Sequence, residues 1–286
     1  MATLTPSPDV ELQAPPTDGV SCLRFGTSQL LVSSWDASLR VYEGARLRSR
    51  VDLEAPVLSC CYGKGDAEAF AGGLDCVVKQ LDIGTRQLTS LGSHSAAVRH
   101  VGYSKEFGLT VSGGWDGVVK VWDVRNGDNR QIHEASTTGK VFGMDVKSHV
   151  VAVATSDKQV MPSDAAEQSA KKKRSYAFKC HRAKVDDQTL IYPVNAIAFH
   201  PMYGTFATGG CDGMVNLWDG ANKKRITHLR QYPTSIAAMD FNQDGSVLAI
   251  AASYTYEEGE KDHPNDAIFL HTVQDSEVRS KMKLAA

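Results

Sequence analysis

Alternating apolar and polar positions recur along the chain in paired runs separated by short turns. In each pair an apolar run ends in two small residues, an Asp follows in the turn, and a second alternating run comes after it. This arrangement is typical of a β-hairpin whose side chains point alternately to the two faces of a sheet. The four clearest pairs are LLVSSWDASLRVY (30–42), EAFAGGLDCVVKQLD (68–82), LTVSGGWDGVVKVWD (109–123) and TFATGGCDGMVNLWD (205–219). Another apolar run precedes each pair, so the predicted unit is three strands with a variable fourth, outer strand.

The Asp in the predicted turns recurs at a nearly constant spacing. Asp36, Asp75, Asp116 and Asp157 are separated by 39, 41 and 41 residues, and two of the hairpins end in the dipeptide Trp-Asp. A period of about 40–45 residues with this ending is the signature of WD-repeat propeller blades. The predicted fold class is therefore all-β, a WD-repeat β-propeller. Residues 1–286 are predicted to form a single domain.

The period breaks after Asp157. The next turn Asp is Asp212, 55 residues further on, whereas one repeat needs about 41 residues and two need about 82. The interval is therefore too long for one step and roughly 27 residues short of two. Residues 161–175 are polar and rich in Ala, Ser and Lys, so they are predicted to form an irregular loop. We expect the fourth and fifth blades to be incomplete.

The last predicted unit has a long turn and needs an outer strand. An acidic, polar insertion at residues 257–266 lengthens its hairpin turn. An open sheet edge exposes unpaired backbone groups, and propellers of this type commonly fill it with the N-terminal segment. We therefore expect Val10–Leu12 to supply that strand.

Composition and charge exclude several classes of protein. A net charge of −2 argues against a general nucleic-acid coat, because domains that track phosphates are usually strongly basic. No apolar run approaches the roughly 20 residues that span a bilayer, and the N-terminus does not resemble a secretory signal. A nuclear or cytosolic protein is expected, with its six cysteines reduced and most of them buried. Neither a membrane partner nor direct nucleic-acid binding is predicted, and the chain is expected to be monomeric.

Several residues combine in ways that suggest chemistry. His94, Ser112 and Asp116 are the ingredients of a nucleophilic triad. A His, a Ser or Thr, an Asp and a strand Trp also form the hydrogen-bonded tetrad that joins turn to strand in a WD blade. That set occurs twice, as His94, Ser112, Asp116 and Trp122 and as His181, Thr208, Asp212 and Trp218. An active site would not be duplicated along the chain, so both sets are predicted to be structural and no catalytic residue is expected.

Metal and cofactor sites are not predicted either. Cys180 and His181 are adjacent, but no second pair lies at the spacing of a zinc site. The chain has no Gly-x-x-x-x-Gly-Lys-Ser/Thr phosphate-binding loop. No cofactor is expected.

Exposed aromatic and basic residues are the candidates for binding. Trp35 and Trp115 immediately precede a turn Asp, at the rim where aromatic side chains are typical binding anchors; packing on a neighbouring blade is the alternative. Lys179 and Arg182 flank His181, and Lys223 begins a basic cluster after a Trp-Asp ending. Basic groups beside aromatic anchors favour an acidic or phosphorylated peptide partner. The separate KKKR run at 171–174 is interpreted as a solvated loop that could carry a nuclear-import signal, and binding of the acidic partner is the alternative.

The C-terminal half carries motifs that resemble a known family. They are YAFKCHR (176–182), YPVNAIAFHP (192–201), FATGGCDG (206–213), NKKR (222–225) and YPTSIA (232–237), and SSWDASLRVY and SGGWDGVVKVWD agree with them. Together they resemble the spindle-assembly-checkpoint WD-repeat proteins of the Bub family. The related WD-repeat mRNA-export factors of the nuclear pore share the FKCHR and AFHP elements and are the alternative assignment.

The resemblance implies a seven-bladed propeller without enzymatic activity, located in the nucleus, at kinetochores in mitosis and also in the cytoplasm. Its implied partners are the checkpoint kinase and its pseudokinase relative, bound through acidic GLEBS-type motifs, and a phosphorylated kinetochore scaffold. It implies that Trp35 contacts the acidic peptide and that Arg182 meets its carboxylates. Lys179 and Lys223 match positions linked to acidic or phosphothreonine recognition.

The resemblance also bears on the break in the repeat. Compared with the family, the chain lacks the end of its fourth blade and the inner strands of its fifth, and rejoins the pattern at an outer strand, YAFKCHR. Lost inner strands expose apolar faces, so we expect weaker folding than in a complete relative. A compact six-bladed closure and a truncated, non-functional form remain alternatives.

Overall fold

The computed structural model describes residues 9–125, 130–147, 150–157, 160–162 and 179–279. Antiparallel strands make up most of this part of the chain, as the alternating pattern predicts. Its one helix, α1 (Asp275–Val278), has four residues, and no helix in the described ranges could span a membrane.

The strands of the described ranges are numbered here in chain order. Strands β1–β9 are Val10–Glu11, Val20–Phe25, Leu30–Ser34, Ser38–Glu43, Arg46–Asp52, Val57–Tyr62, Glu68–Gly73, Val77–Asp82 and Leu88–Ser93. Strands β10–β16 are Val98–Ser104, Leu109–Gly114, Val118–Trp122, Gln131–Ser136, Val141–Lys147, Val150–Thr155 and Val160–Pro162. Strands β17–β25 are Arg182–Val185, Gln188–Ile191, Val194–Phe199, Phe206–Gly210, Val215–Asp219, Lys224–His228, Ile236–Phe241, Val247–Ala252 and Ala267–Thr272.

The chain divides into two compact units. The first contains the described residues of Met1–Phe25, Tyr42–Leu47 and Tyr176–Ala286, and the second those of Gly26–Val41 and Arg48–Ser175. The prediction of a single domain over residues 1–286 stays a prediction.

The second unit contains consecutive antiparallel sheets in sequence order. Its four-stranded sheets are β6-β7-β8-β9 and β10-β11-β12-β13, and β14-β15-β16 follows with three strands. Val98, Val101 and Trp122 pack in one buried cluster of this unit, and Val141 and Met144 in another. Strand β16 reaches Pro162, so a third strand does form after the Asp157 turn. Most of the predicted 161–175 loop, from residue 163 onward, lies outside the described residues.

The first unit contains the sheets β19-β20-β21-β22 and β23-β24-β25-β1, and a separate two-stranded hairpin, β17-β18. Ile236, Leu248 and Ile250 lie in its buried core with Leu217. Val10 pairs with Leu270 of β25, which confirms that the N-terminal segment supplies the outer strand of the last sheet. The connection between β24 and β25 is long and contains no strand, as the acidic insertion predicted.

The two sheets next to the break are smaller than the others in the described part of the chain. The sheet β14-β15-β16 has three strands and the hairpin β17-β18 has two, whereas each complete sheet has four. This agrees with the predicted loss of sequence in the fourth and fifth blades. The sequence YAFKCHR was predicted to be an outer strand, but of its described residues Lys179–His181 are not in a strand and only Arg182 is, as the first residue of β17. His181 has a φ of 44°, outside the range of a strand, and its imidazole is bound to residues of the next sheet.

Strand β19, the first strand of the sheet that follows the break, has one face that is not covered by other side chains of the described ranges. Ala196 and Ala198 are buried, whereas Ile197 and Phe199 on the other face are 59% and 69% exposed. Successive side chains of a strand point to opposite faces, so one face of β19 is covered and the other is not. The first complete sheet after the break therefore exposes apolar surface.

In four of the five four-stranded sheets, the turn between the second and third strands, called here the Asp turn, has one repeated contact. The Asp carboxylate accepts a hydrogen bond from the backbone N–H two residues later, which holds the tight reversal. The four pairs are Asp36–Ser38, Asp75–Val77, Asp116–Val118 and Asp212–Met214, with distances of 3.0, 3.1, 3.1 and 3.1 Å.

Candidate functional site

The first predicted tetrad is assembled around the Asp turn at Asp116. His94 Nδ1 lies 3.0 Å from Asp116 Oδ2, and His94 Nε2 lies 2.8 Å from Ser112 Oγ. Trp122 Nε1 donates to the same Ser112 hydroxyl over 2.8 Å. The four side chains thus join the end of β11, the turn and β12 in one chain of hydrogen bonds.

The proton positions in this tetrad follow from its environment. Burial lowers the pKa of His94, and this outweighs the opposing effect of the Asp116 carboxylate. A neutral imidazole donates from Nδ1 to Asp116 and accepts at Nε2 from the Ser112 hydroxyl. Ser112 in turn accepts from Trp122. Ser112 and Trp122 are both fully buried, so a substrate has no access to the hydroxyl despite its triad-like contacts.

The second predicted tetrad repeats this geometry around Asp212. His181 Nδ1 lies 2.8 Å from Asp212 Oδ1, and His181 Nε2 lies 2.9 Å from Thr208 Oγ1. Trp218 Nε1 donates to Thr208 Oγ1 over 2.8 Å. His181 is buried. The backbone on either side of it, which carries Lys179 and Arg182, is therefore anchored to the sheet β19–β22.

Two Asp turns use a different partner that the sequence analysis missed. Arg40 and Asp36 form an ion pair of 2.8 Å, with side chains only 2% and 5% exposed. Lys79 pairs with Asp75 in the same i, i+4 relationship. A basic residue stands four positions after the turn Asp in WDASLR and LDCVVK, but Lys120 has the same position in WDGVVK and pairs with Glu134, so this spacing alone does not identify the ion pair. In these turns a cation takes the place of the tetrad His.

The residue before the turn Asp presents apolar surface in the second unit. Trp35 is 42% exposed, and Leu74 occupies the equivalent position in the next Asp turn and is also exposed. Trp115 is partly buried, and its buried Nε1 has no hydrogen-bond partner among the described residues. Trp122 and Trp218, in contrast, are buried. Leu74 was not predicted, although alignment of GLDC with SWDA and GWDG points to it.

The predicted basic residues lie at two different places in the first unit. Lys179 and Arg182 are exposed on either side of buried His181, and Arg182 begins β17 opposite Ile191. Lys223 is exposed in the turn after β21, whereas Asp212, which binds His181, precedes that strand. The five residues of β21 span roughly 16 Å. The structure therefore groups Lys179 with Arg182 and places Lys223 at the far end of the strand. Lys171–Arg174 lie outside the described residues.

Metal and thiol chemistry find little support in the described ranges. No group of three or more His, Cys, Asp or Glu side chains is placed there to hold a metal ion. All six cysteines are free thiols; Cys22, Cys60 and Cys61 are buried and the other three are partly exposed. Burial raises the pKa of the Cys180 thiol in spite of nearby Arg182, which makes it less reactive.

Comparisons with known proteins support the repeat assignment. The family described as "WD domain, G-beta repeat" matches residues 85–123 and 174–219. The solved structure of the RRP9 WD40 repeats superposes with a TM-score of 0.75 and 14% identity, covering 93% of this chain and 97% of that one. This similarity shows a WD-repeat β-propeller fold.

Curated relatives match along almost the whole chain. "Mitotic checkpoint protein BUB3.1" of Arabidopsis thaliana is 38% identical, with 99% of this chain and 98% of that protein covered. "Poly(A)+ RNA export protein" of Schizosaccharomyces pombe is 29% identical, with 96% and 93% covered.

The length of the first alignment bears on the break in the repeat. It spans 335 positions, whereas the chain has 286 residues, so the relative has at least 49 residues opposite gaps in this chain. That number is close to one blade. The high coverage of both proteins, together with the repeat and both tetrads, shows that the chain belongs to the Bub3 family of mitotic checkpoint WD-repeat proteins.

Proposed function

We propose that this chain is a non-enzymatic docking protein of the mitotic spindle checkpoint. It binds acidic GLEBS-type motifs of the checkpoint kinase and its pseudokinase relative, and it docks them on phosphorylated repeats of a kinetochore scaffold. The nucleus and the mitotic kinetochore are its proposed locations, with a cytoplasmic pool. Membership of the Bub3 family supports this assignment.

The placement of Lys179 and Arg182 carries the proposal. Both side chains are exposed, yet they flank His181, which is buried and bound to Asp212 and Thr208. An anchored backbone lowers the conformational entropy lost when a partner is bound. Arg182 can offer a planar pair of donors to a carboxylate or phosphate, and Lys179 a compact ammonium. Acidic and phosphorylated peptides are the partners that such groups recognise.

Trp35 supplies the apolar part of the proposed contact. Its indole is exposed in an Asp turn whose Asp36 is held by Arg40 and by the amide of Ser38. A large aromatic side chain on a fixed turn is a typical interface anchor. Trp115 and Leu74 occupy equivalent positions, and Trp115 is proposed as a secondary contact because it is less exposed.

The tetrads support a role without catalysis. The hydroxyls of Ser112 and Thr208 are buried, and each accepts a hydrogen bond from a Trp indole. A nucleophilic hydroxyl must be reachable by substrate and free to transfer its proton. We therefore assign both hydroxyls a structural role.

The test is titration of a fluorescent GLEBS-type peptide from the checkpoint kinase into the purified protein. We expect saturable binding that Trp35→Ala and Arg182→Glu each weaken tenfold or more, as for central aromatic and Arg positions of interfaces. The matched controls are Phe107→Ala, another exposed aromatic of the second unit, and Lys105→Glu, an equal charge reversal. Equal losses in variants and controls, or no binding by the folded protein, would contradict the proposal.

An mRNA-export role is the second candidate, because the fission-yeast export protein is also similar over most of the chain. Capture from nuclear extract separates the two, since a checkpoint protein retains the checkpoint kinase. The incomplete blades raise a third possibility, a truncated form that binds the kinase motif but not the scaffold. A protein that binds the acidic motif but does not bind a phosphorylated scaffold peptide would be identified as that form.

A further inference from the structure

The first unit contains a cavity that the proposed acidic-peptide site does not use. Its volume is about 260 Å³, and three separate segments line it: residues 211–213 of an Asp turn, residues 231–235 before β23, and part of the long β24–β25 connection between residues 254 and 264. The second segment belongs to the motif YPTSIA. The third is the acidic insertion.

An aromatic ring forms one wall of this cavity. Tyr254 is buried, and its hydroxyl donates to Gly259 O over 2.8 Å and accepts from Glu258 N over 3.1 Å. These two bonds fix the ring against the connection that it belongs to. The His263 ring lies 4.9 Å from it, centroid to centroid. The wall is therefore an aromatic surface held in place by backbone hydrogen bonds.

A cation of the chain itself lies over that ring. Lys261 Nζ is 4.9 Å from the centroid of Tyr254 and forms an ion pair with Glu258. A cation within about 6 Å of an aromatic face is attracted by the ring quadrupole. Both partners of the ion pair remain largely exposed to solvent. Lys261 thus shows which chemical group the wall accepts, and it is held weakly enough to be displaced.

The charge of the cavity favours the same class of group. Glu257, Glu258 and Asp262 contribute carboxylates to its lining. Glu257 is fixed by hydrogen bonds from Ser235 and Thr255. Partial burial of Glu257 opposes ionisation, but these hydrogen bonds prevail and lower the pKa of its carboxyl. Lys261 is the one lysine or arginine among the lining residues.

We propose that this cavity is a receptor for a lysine or arginine side chain of a partner protein, which displaces Lys261 from Tyr254 and Glu258. The partner is a basic peptide segment, recognised by cation–π contact and by charge-assisted hydrogen bonds to the carboxylates. This site goes beyond the proposed function, which concerns acidic segments bound near Arg182. Its lining residues lie in the connections between strands β20 and β21, β22 and β23, and β24 and β25.

The experiment uses a fluorescein-labelled peptide, Gly-Ser-Arg-Lys-Arg-Ser-Gly, and the full chain at low salt. Lys261→Met removes the internal competitor, so we expect the peptide to bind about two- to fivefold more tightly. Glu258→Gln removes a carboxylate and is expected to weaken binding by a similar factor. In amide NMR spectra the shifts are expected at residues 211–213, 231–235 and 254–264.

Matched variants in the second unit control for net charge. Lys105→Met and Glu106→Gln make the same charge changes at exposed positions, and both are expected to leave affinity unchanged. A peptide with Gln in place of the three basic residues is expected not to bind. Equal effects in site and control variants would show non-specific attraction and overturn the proposal. Absence of saturable binding to Lys261→Met would overturn it as well.

Discussion

Asp9 Oδ1 and His271 Nδ1 lie 2.8 Å apart, so the residue before β1 is bound directly to the last strand of the same sheet. The other imidazole nitrogen, Nε2, is 3.0 Å from Glu277 in α1. Asp9 Oδ2 accepts from Arg230 Nε and from the Tyr232 hydroxyl, each over 2.8 Å. The five side chains tie the N-terminal strand and the C-terminal helix to one sheet.

His271 makes the stability of this cluster depend on pH. Burial alone would lower its pKa, but Glu277 and Asp9 more than compensate and raise it above the ordinary 6.5. A His whose pKa is raised by folding contributes stability below its unfolded pKa and loses it as pH rises through the folded pKa. We expect the free energy of unfolding to fall as pH rises above about 6.5 into the alkaline range. Urea unfolding at several pH values measures this.

The His271→Gln variant isolates the effect from other titrating groups. His94 has the opposite effect on the free energy of unfolding, because folding lowers its pKa. At low pH the unfolded chain therefore binds a proton at His94 more readily than the folded chain does, and this favours unfolding. The difference in stability between wild type and His271→Gln cancels that contribution. We expect this difference to be largest below pH 6 and to shrink at alkaline pH. A difference that does not vary with pH would show that folding leaves the pKa of His271 unchanged.

The tetrad around Asp116 predicts that removal of a single hydroxyl group, that of Ser112, strongly lowers the free energy of unfolding. Ser112→Ala removes one hydroxyl but leaves Trp122 Nε1 and His94 Nε2 buried without their common partner. Each buried polar group left unsatisfied costs about 1–3 kcal/mol, so we expect a loss of about 2–4 kcal/mol in the free energy of unfolding. Ser95→Ala, at an exposed position beside the same tetrad, is the control and is expected to change stability by less than about 0.5 kcal/mol. Similar losses in both variants would contradict the structural role.

Much of this architecture could be predicted from short-range patterns. The Asp turns follow from a local contact between Asp and an amide two residues later, and the pairing of Val10 with β25 follows from the need to cover a sheet edge. The ion pair of Arg40 with Asp36 was less visible, because Lys120 stands at the same spacing from Asp116 and yet pairs with Glu134. The conformation of His181 is imposed by Asp212, 31 residues away, and the strand pattern of YAFKCHR contains no sign of it.

The cavity in the first unit was beyond sequence analysis for a related reason. Its walls come from segments near residues 212, 233 and 258, which only the fold brings together. The long acidic insertion was recognised as an extended turn. The aromatic wall of the cavity was not predicted, because the orientation of Tyr254 depends on its hydrogen bonds to Gly259 and Glu258 within the folded connection.

The exposed apolar face of β19 predicts that the protein tends to aggregate. Ile197 and Phe199 are more than half exposed, and apolar surface of this kind promotes aggregation. We expect the double variant Ile197→Thr and Phe199→Thr to scatter less light on heating and to bind less of an apolar dye. Its free energy of unfolding is expected to fall by no more than about 1 kcal/mol, the scale of the ring contact between Phe199 and Phe206. Ala198→Asp, on the covered face of the same strand, is the contrast and is expected to destabilise strongly. A large loss of stability in the double variant would show that another part of the chain covers this face.

In the Asp turn at Asp36, Arg40 is the partner of the carboxylate, whereas a His is the partner in the two tetrads. The contribution of the Arg40–Asp36 ion pair to stability can be measured directly. Both side chains are almost fully buried, so Arg40→Met removes the guanidinium and leaves a buried carboxylate that keeps its bonds from Ser38 N and Oγ but loses the Arg40 cation. Breaking a buried pair in this way costs about 3–5 kcal/mol. Adding Asp36→Asn removes the stranded charge while keeping an oxygen that accepts from Ser38 N, so we expect the double variant to recover at least about 1 kcal/mol. Chemical denaturation of the two single variants and the double variant gives the coupling energy. Strictly additive losses would mean that Arg40 and Asp36 stabilise the turn independently and that their ion pair contributes no coupling energy.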